Sequence, residues 1–124
     1  MIVEDNERNL KLLRDVLGAY GYRTIEARSG EDAIALVRSE RPELVLMDIQ
    51  LPGMDGVEAL RELRRSGDLA ATPIVAVTAF VMNEDRERFL AAGFDGYLEK
   101  PVDIRALRTL VDSYLGPGER GAAS

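Results

Sequence analysis

Short apolar runs alternate with amphipathic stretches along the chain, and this alternation constrains the fold more than any other feature. The run at residues 44–47 is apolar on both faces, which is typical of a parallel strand covered by helices on each side. Between such runs, apolar residues recur at three- and four-residue spacing, as on the buried face of a helix. The order predicts an α/β protein, a (βα)5 chain with a doubly wound parallel sheet of five strands.

Capping residues mark where several of the helices should begin. Asn6 is placed to cap the first helix, Ser29 opens a capping-box pattern, and Asp103 precedes the last helix. Strands are expected at residues 1–3, 22–27, 44–47, 74–77 and around 97–98. We expect one domain over residues 1–115, followed by a flexible tail at residues 116–124.

The residue types that are missing restrict the chemistry. The 124 residues include no Cys and no His, which excludes disulfides, thiolate chemistry and imidazole bases. A net charge of −6 without a basic run argues against a nucleic-acid surface. The apolar runs are too short to cross a bilayer and no signal peptide is recognisable, so a cytoplasmic protein without membrane contact is expected.

Polar residues occupy the positions where the predicted strands end. The first strand ends at Glu4 and Asp5, the third at Asp48, the fourth at Thr78, and the fifth at Lys100. In parallel sheets these ends share one edge, where functional groups gather. Three crowded carboxylates need a cation. Oxygen ligands without His or Cys favour a hard ion such as Mg²⁺.

This set of residues suits phosphoryl transfer, which requires mainly positioning and charge neutralisation. Asp48 ends the strand predicted to be the most buried and is the best-placed nucleophile for an acyl phosphate. Lys100 and Thr78 could donate to the phosphoryl oxygens. Each residue alone also suits an ordinary role, such as a turn, a helix start or a surface charge. Their joint placement favours the functional interpretation.

Several stretches of the chain resemble the receiver domains of response regulators. They are Val3 to Asn6, Leu46 to Gly56, Val77 to Ala79, Gly93 to Tyr97, and Lys100 with Pro101. The likeness is nearest to single-domain regulators of the DivK and chemotaxis kinds. It implies a flavodoxin-like three-layer sandwich with strand order 2-1-3-4-5. The protein would then be a phospho-accepting switch of a two-component phosphorelay, and not a turnover enzyme.

The resemblance also implies a ligand set for Mg²⁺, with Mn²⁺ as an alternative ion. Asp48 would be the phospho-acceptor and a metal ligand. Asp5 would bind the ion directly, Glu4 mainly through water, and Gln50 through its backbone carbonyl.

Further residues acquire switching roles from the same resemblance. Thr78 and Lys100 would bind the phosphoryl oxygens, and the bond between Lys100 and Pro101 would be cis. Tyr97 would swing inward when Thr78 moves towards the phosphate. The face made by the fourth helix, fifth strand and fifth helix would then change and bind a downstream protein. The phosphoryl donor would be a phosphohistidine of a separate histidine kinase or histidine phosphotransferase, and the receiver would be a monomer or weak dimer.

Three other interpretations remain open at this point. The chain could be a receiver cut from a longer response regulator or hybrid histidine kinase. A phosphatase of the haloacid-dehalogenase type requires an Asp at the position of Gln50. A flavodoxin-like FMN protein requires a Ser-, Thr- and Gly-rich loop after the first strand, where this chain has Glu4 to Glu7. Only Met1 to Val3 precede the acidic pair, so either the start is trimmed or this strand is short.

Overall fold

The computed structural model describes residues 1–51, 53, 54, 56–65, 67, 72–79 and 83–115. Strands and helices alternate as predicted: β1 (Ile2–Val3), α1 (Glu7–Ala19), β2 (Glu26–Ala27), α2 (Gly30–Glu40), β3 (Val45–Asp48), α3 (Gly56–Arg65), β4 (Ile74–Thr78), α4 (Asn83–Ala92), β5 (Gly96–Glu99) and α5 (Ile104–Leu115). The sheet is parallel, with order β2-β1-β3-β4-β5. The predicted (βα)5 fold and strand order are therefore confirmed.

Successive strand residues pack into two separate cores because side chains alternate between the faces of a sheet. On one face, Met47 and Ala76 join the cluster that contains the buried residues of α2, α3 and α4. On the other face, Leu46 and Val75 join the cluster formed with α1 and α5. Both faces of the central strands are covered, which explains why residues 44–47 carry no polar side chain.

Side-chain caps fix the starts of three helices where the sequence predicted them. Asn6 Oδ1 accepts hydrogen bonds from two backbone N–H groups in the first turn of α1, at 3.0 and 3.1 Å. Ser29 Oγ accepts from Asp32 N at 3.1 Å at the start of α2. Asp103 Oδ1 accepts from two N–H groups at the start of α5. These bonds satisfy backbone donors that a helix cannot satisfy internally.

The second strand is shorter than residues 22–27, the predicted range. Only Glu26 and Ala27 pair with β1, opposite Ile2 and Val3. The partner strand itself has two residues, so a longer β2 would have no ladder to join. The predicted tail at residues 116–124 lies outside the described residues. No helix in the part of the chain that the structure describes is long and apolar enough to cross a membrane.

Candidate functional site

Charged side chains from three strands converge where the sheet ends, on the side that we call the carboxyl edge (Glu4, Asp5, Asp48 and Lys100). Glu4 and Asp5 follow β1, Asp48 ends the neighbouring β3, and Lys100 follows β5. One carboxylate oxygen from each acid lies within 4.8 Å of the other two. Glu4 and Asp48 are buried, whereas Asp5 is exposed to solvent.

Lys100 reaches two of these acids directly. Its Nζ lies 2.9 Å from Glu4 Oε1 and 3.1 Å from Asp48 Oδ2. Burial alone would lower the pKa of Lys100, but the Glu4 and Asp48 carboxylates outweigh it and raise this pKa. Lys100 is therefore charged at neutral pH. If all four groups are ionised, three carboxylates and one ammonium leave two negative charges uncompensated within the group.

Glu4 carries the strongest sign that a cation belongs here. Burial, and then the nearby Asp48 carboxyl, raise the pKa of Glu4. Its Oε2 accepts from Asn6 N at 3.2 Å. Its Oε1 is buried, and no donor among the described residues meets it with hydrogen-bonding geometry, although Lys100 Nζ is close. A buried carboxylate oxygen without a hydrogen bond, beside two further carboxylates, fits a hard divalent cation such as Mg²⁺.

The loop after Asp48 is held close to this acid. Gln50 N donates to Asp48 Oδ1 at 3.0 Å, which fixes one carboxylate oxygen. Gly56 N donates to Ile49 O at 3.0 Å. A Cβ on Gly56 would lie 2.5 Å from Asp48 O, so only glycine fits there without a backbone shift. Sequence reasoning placed Gly56 in a motif but assigned it no role. The available signal was its position at the start of a helix after a Pro- and Gly-containing loop.

The remaining predicted site residues lie next to this group or farther along β5. Thr78 is buried at the end of β4, and its carbonyl accepts from Lys100 N at 2.8 Å. Tyr97 is half-buried on β5, pairs with Ala76 and packs against the cluster of α2, α3 and α4. The peptide bond between Lys100 and Pro101 is cis. The roles of the Thr78 hydroxyl, the Tyr97 ring and the Gln50 carbonyl stay predictions.

The sequence itself matches a known family. A model of the response regulator receiver domain matches residues 1–112. The chain belongs to this family. The polar-differentiation response regulators DivK of Brucella anthropi and Brucella abortus are each 47% identical to it over 116 residues, covering 94% of this chain and 94% of theirs.

Solved receiver structures share its fold. One is the receiver domain of a sensor histidine kinase from Pseudomonas aeruginosa, described with a magnesium ion coordinated in the active site cleft. It is 35% identical, with a TM-score of 0.85 over 93% of this chain and 94% of that one. A chemotaxis response regulator of Vibrio cholerae is 25% identical, with a TM-score of 0.86 over 92% and 95% of the two chains.

Family membership decides between the interpretations that the residues left open. This receiver domain is part of a two-component system and resembles DivK. Receiver domains are signalling switches that accept phosphate from histidine kinases and act on downstream targets, and they are not enzymes in the usual sense. The assignment argues against both the haloacid-dehalogenase-like phosphatase and the FMN protein. It is compatible with a receiver that forms part of a longer regulator or hybrid kinase.

Proposed function

We propose that Asp48 accepts a phosphoryl group from a phosphohistidine of a partner kinase or phosphotransferase, and that this receiver domain then changes its affinity for a downstream protein. The observation that carries the proposal is the carboxyl edge itself. Asp48 lies among two further acids and a lysine whose Nζ is 3.1 Å from it. Because these 124 residues include no histidine, the phosphohistidine would lie outside this receiver domain.

The donor set suggests which groups would hold a divalent cation. The carboxylates of Glu4, Asp5 and Asp48 supply hard oxygen ligands, and the Gln50 carbonyl would complete the protein's share. A bound Mg²⁺ would supply the positive charge that offsets the crowded acids and the incoming phosphoryl oxygens. Mg²⁺ is preferred over Mn²⁺ for this chain because it is the ion of the related magnesium-bound receiver.

The proposed transfer forms one bond and breaks one. An Asp48 carboxylate oxygen attacks the phosphorus, the bond between phosphorus and the donor imidazole nitrogen breaks, and the electron pair stays on the imidazole. The product is an acyl phosphate on Asp48. Lys100 would exchange a carboxylate contact for a phosphoryl oxygen, which is a short movement because its ammonium already lies beside Asp48. The Thr78 hydroxyl would donate to another phosphoryl oxygen.

The surface of α4, β5 and α5 is the proposed face for partners. Two of its large apolar side chains are unusually exposed, Leu90 at 49% and Ile104 at 46%, which suits burial against another protein. Tyr97 lies on the strand between these helices and would change position as Thr78 moves towards the phosphate. We propose a cytoplasmic monomer or weak dimer that binds protein and not nucleic acid.

Labelling by acetyl phosphate tests the proposal. Intact-mass spectrometry should show one added phosphoryl group on the wild type with Mg²⁺ and none with a chelator. Asp48→Asn should abolish this labelling. Asp15→Asn changes an exposed carboxylate on α1 and should label as the wild type does. Equal labelling of Asp48→Asn and wild type, or no labelling of the wild type, would overturn the proposal.

A further inference from the structure

The position of Lys100 depends on an edge strand that has little to hold it in register. β5 pairs with β4, and of its four residues only Leu98 is buried. A strand that slips by one residue turns every side chain to the opposite face, and a weakly buried edge strand resists this poorly. The backbone of Lys100 meets Thr78 O at the carboxyl edge. A second fixed point is needed at the other end of β5.

Asp95, directly before β5, makes that second fixed point at the opposite side of the sheet. Its backbone N–H donates to Ile74 O at 2.8 Å. Its side-chain Oδ2 accepts from Ile74 N, also at 2.8 Å. Asp95 thus binds both backbone groups of the first residue of β4. A one-residue slip of β5 would break both hydrogen bonds together.

Two helices hold Asp95 in this position. Arg64, in the last turn of α3, places Nη2 2.8 Å from Asp95 Oδ2. The same guanidinium donates to Thr72 O at 2.9 Å and to Gly93 O at 3.2 Å. From α5, the Tyr114 hydroxyl donates to Asp95 O at 3.2 Å. We call Arg64, Ile74, Asp95 and Tyr114 the amino edge. A lone exposed ion pair would do little, but this guanidinium binds three acceptors from one orientation.

We propose that Asp95, held by Arg64, is a positioning residue for Lys100: it sets the register of β5 so that the ammonium reaches Glu4 and Asp48. The hydrogen bonds of the amino edge hold this register. Its consequence for phosphorylation rests on the proposed function. The same register places Tyr97 opposite Ala76 of β4.

Amide hydrogen exchange tests the register without any phosphoryl chemistry. Asp95→Ala should speed exchange of the Lys100 amide at least about tenfold relative to the Ile49 amide, which follows β3 and donates to Val77 O, since the variant loses a hydrogen bond to β4. Asp95→Asn keeps an oxygen for Ile74 N but loses the charge that Arg64 binds, so its effect should be intermediate. This milder variant also serves if Asp95→Ala does not fold. Equal Lys100 exchange in wild type and in the folded variants would overturn the proposal.

Glu26→Ala is the matched control, because it removes the carboxylate that binds an arginine at the other edge strand. Both Glu26 oxygens lie 3.0 Å from Arg14 Nη1. This variant loses an ion pair between a helix and β2, far from β5 in the strand order. It should leave the relative exchange of Lys100 unchanged. Faster Lys100 exchange in this control as well would mean that any lost ion pair loosens β5, and would overturn the specific role of Asp95.

Mg²⁺ affinity and labelling rate separate positioning from general damage. The proposed ligands lie at the ends of β1 and β3, whereas Lys100 competes with the ion for Glu4 and Asp48. Asp95→Ala should therefore slow labelling by acetyl phosphate about tenfold, because it misplaces the ammonium, while Mg²⁺ binds as tightly as before, or more tightly. A parallel loss of Mg²⁺ affinity would reduce Asp95 to a structural residue. If the wild type is not labelled at all, the proposed function fails, and the exchange measurement still decides the register.

Discussion

The carboxyl edge and the amino edge of the sheet differ in how completely their charged groups are hydrogen-bonded. At the carboxyl edge, Lys100 contacts two of three clustered acids, and buried Glu4 Oε1, although 2.9 Å from Lys100 Nζ, makes no hydrogen bond within the described part of the chain. At the amino edge, Asp95 accepts hydrogen bonds from a guanidinium, one backbone N–H and one tyrosine hydroxyl. Both edges contain ion pairs. Within the described part of the chain, a buried side-chain oxygen without a hydrogen bond is found at the carboxyl edge and not at the amino edge.

This difference distinguishes a ligand-binding site from contacts that stabilise the fold. Groups left incompletely satisfied in the resting protein cost stability, and a ligand can recover that cost when it binds. Groups that are fully satisfied contribute to stability and hold neighbouring elements in place. Substitutions that remove charge should therefore have opposite effects at the two edges, whereas substitutions that add bulk next to Asp48 should harm both fold and site.

The largest effect is expected for Gly56→Ala, beneath Asp48. The new Cβ would lie 2.5 Å from Asp48 O and 2.9 Å from Ile49 Cα, so the backbone must move. We expect a loss of about 3 kcal/mol in the free energy of unfolding, with weaker Mg²⁺ binding because Asp48 shifts. Urea denaturation and calorimetric titration measure the two effects.

Gly18→Ala is the control for this change, because a methyl group on Gly18 in α1 would meet no described atom within 4 Å. It should raise stability by about 1 kcal/mol through better helix propensity. Wild-type stability and Mg²⁺ affinity in Gly56→Ala would show that the Asp48 loop adapts and that Gly56 does not position it.

Arg64→Ala should produce the next largest effect, at the amino edge. It removes hydrogen bonds to Thr72 O, Gly93 O and Asp95 and should cost about 2 kcal/mol in urea denaturation. Arg23→Ala removes a mostly exposed arginine that pairs with Glu40 at 3.3 Å, and should change stability by less than about 0.5 kcal/mol. Equal effects of the two variants would remove the contrast between the edges.

Glu4→Gln, at the carboxyl edge, should have a smaller effect of the opposite sign. Without divalent cations it should stabilise the protein by about 1 kcal/mol at pH 7, because it removes a buried charge while Asp48 still pairs with Lys100.

The pH dependence of this gain follows from the raised pKa of Glu4. Below the ordinary glutamate pKa of about 4.3, wild-type Glu4 is protonated in both states and resembles Gln. As pH rises above that value, the unfolded state ionises first and the wild type loses stability until folded Glu4 also ionises. The advantage of Gln should thus grow from pH 4 upwards in chelator-treated samples. Glu7→Gln is the control: Arg28 lowers the pKa of exposed Glu7, so this variant should be slightly less stable. Destabilisation by Glu4→Gln throughout this range would contradict the cost assigned to Glu4.

Much of the fold could be predicted because it depends on local patterns. Apolar runs, helical spacing and three capping residues (Asn6, Ser29 and Asp103) located most elements. The extent of β2 could not be read from residues 22–27, since a strand ends where its partner ends and β1 offers two residues. The number of β2 residues that pair depends on the length of β1, and the sequence of β2 does not encode it.

The candidate site divides in the same way. Glu4, Asp5, Asp48 and Lys100 could be placed together because parallel strands end at a common edge, a rule that requires only strand assignments. The contact between Arg64 and Asp95 joins residues 31 positions apart. Asp95 lies in the stretch Gly93 to Tyr97, which resembles receiver domains, but nothing in the sequence pairs it with Arg64. Arg64 and Asp95 also bind backbone atoms of Thr72, Ile74 and Gly93, and only the folded chain brings these atoms together.

The brevity of β2 has a consequence for how this protein behaves in concentrated solution. An unpaired strand edge can recruit a strand from another molecule, and long flat edges are where sheets extend into aggregates. Here the edge strand is β2, which consists only of Glu26 and Ala27. Glu26 also forms an ion pair with Arg14. So short and charged an edge is a poor template for a strand of another chain, which should limit extension of the sheet between molecules.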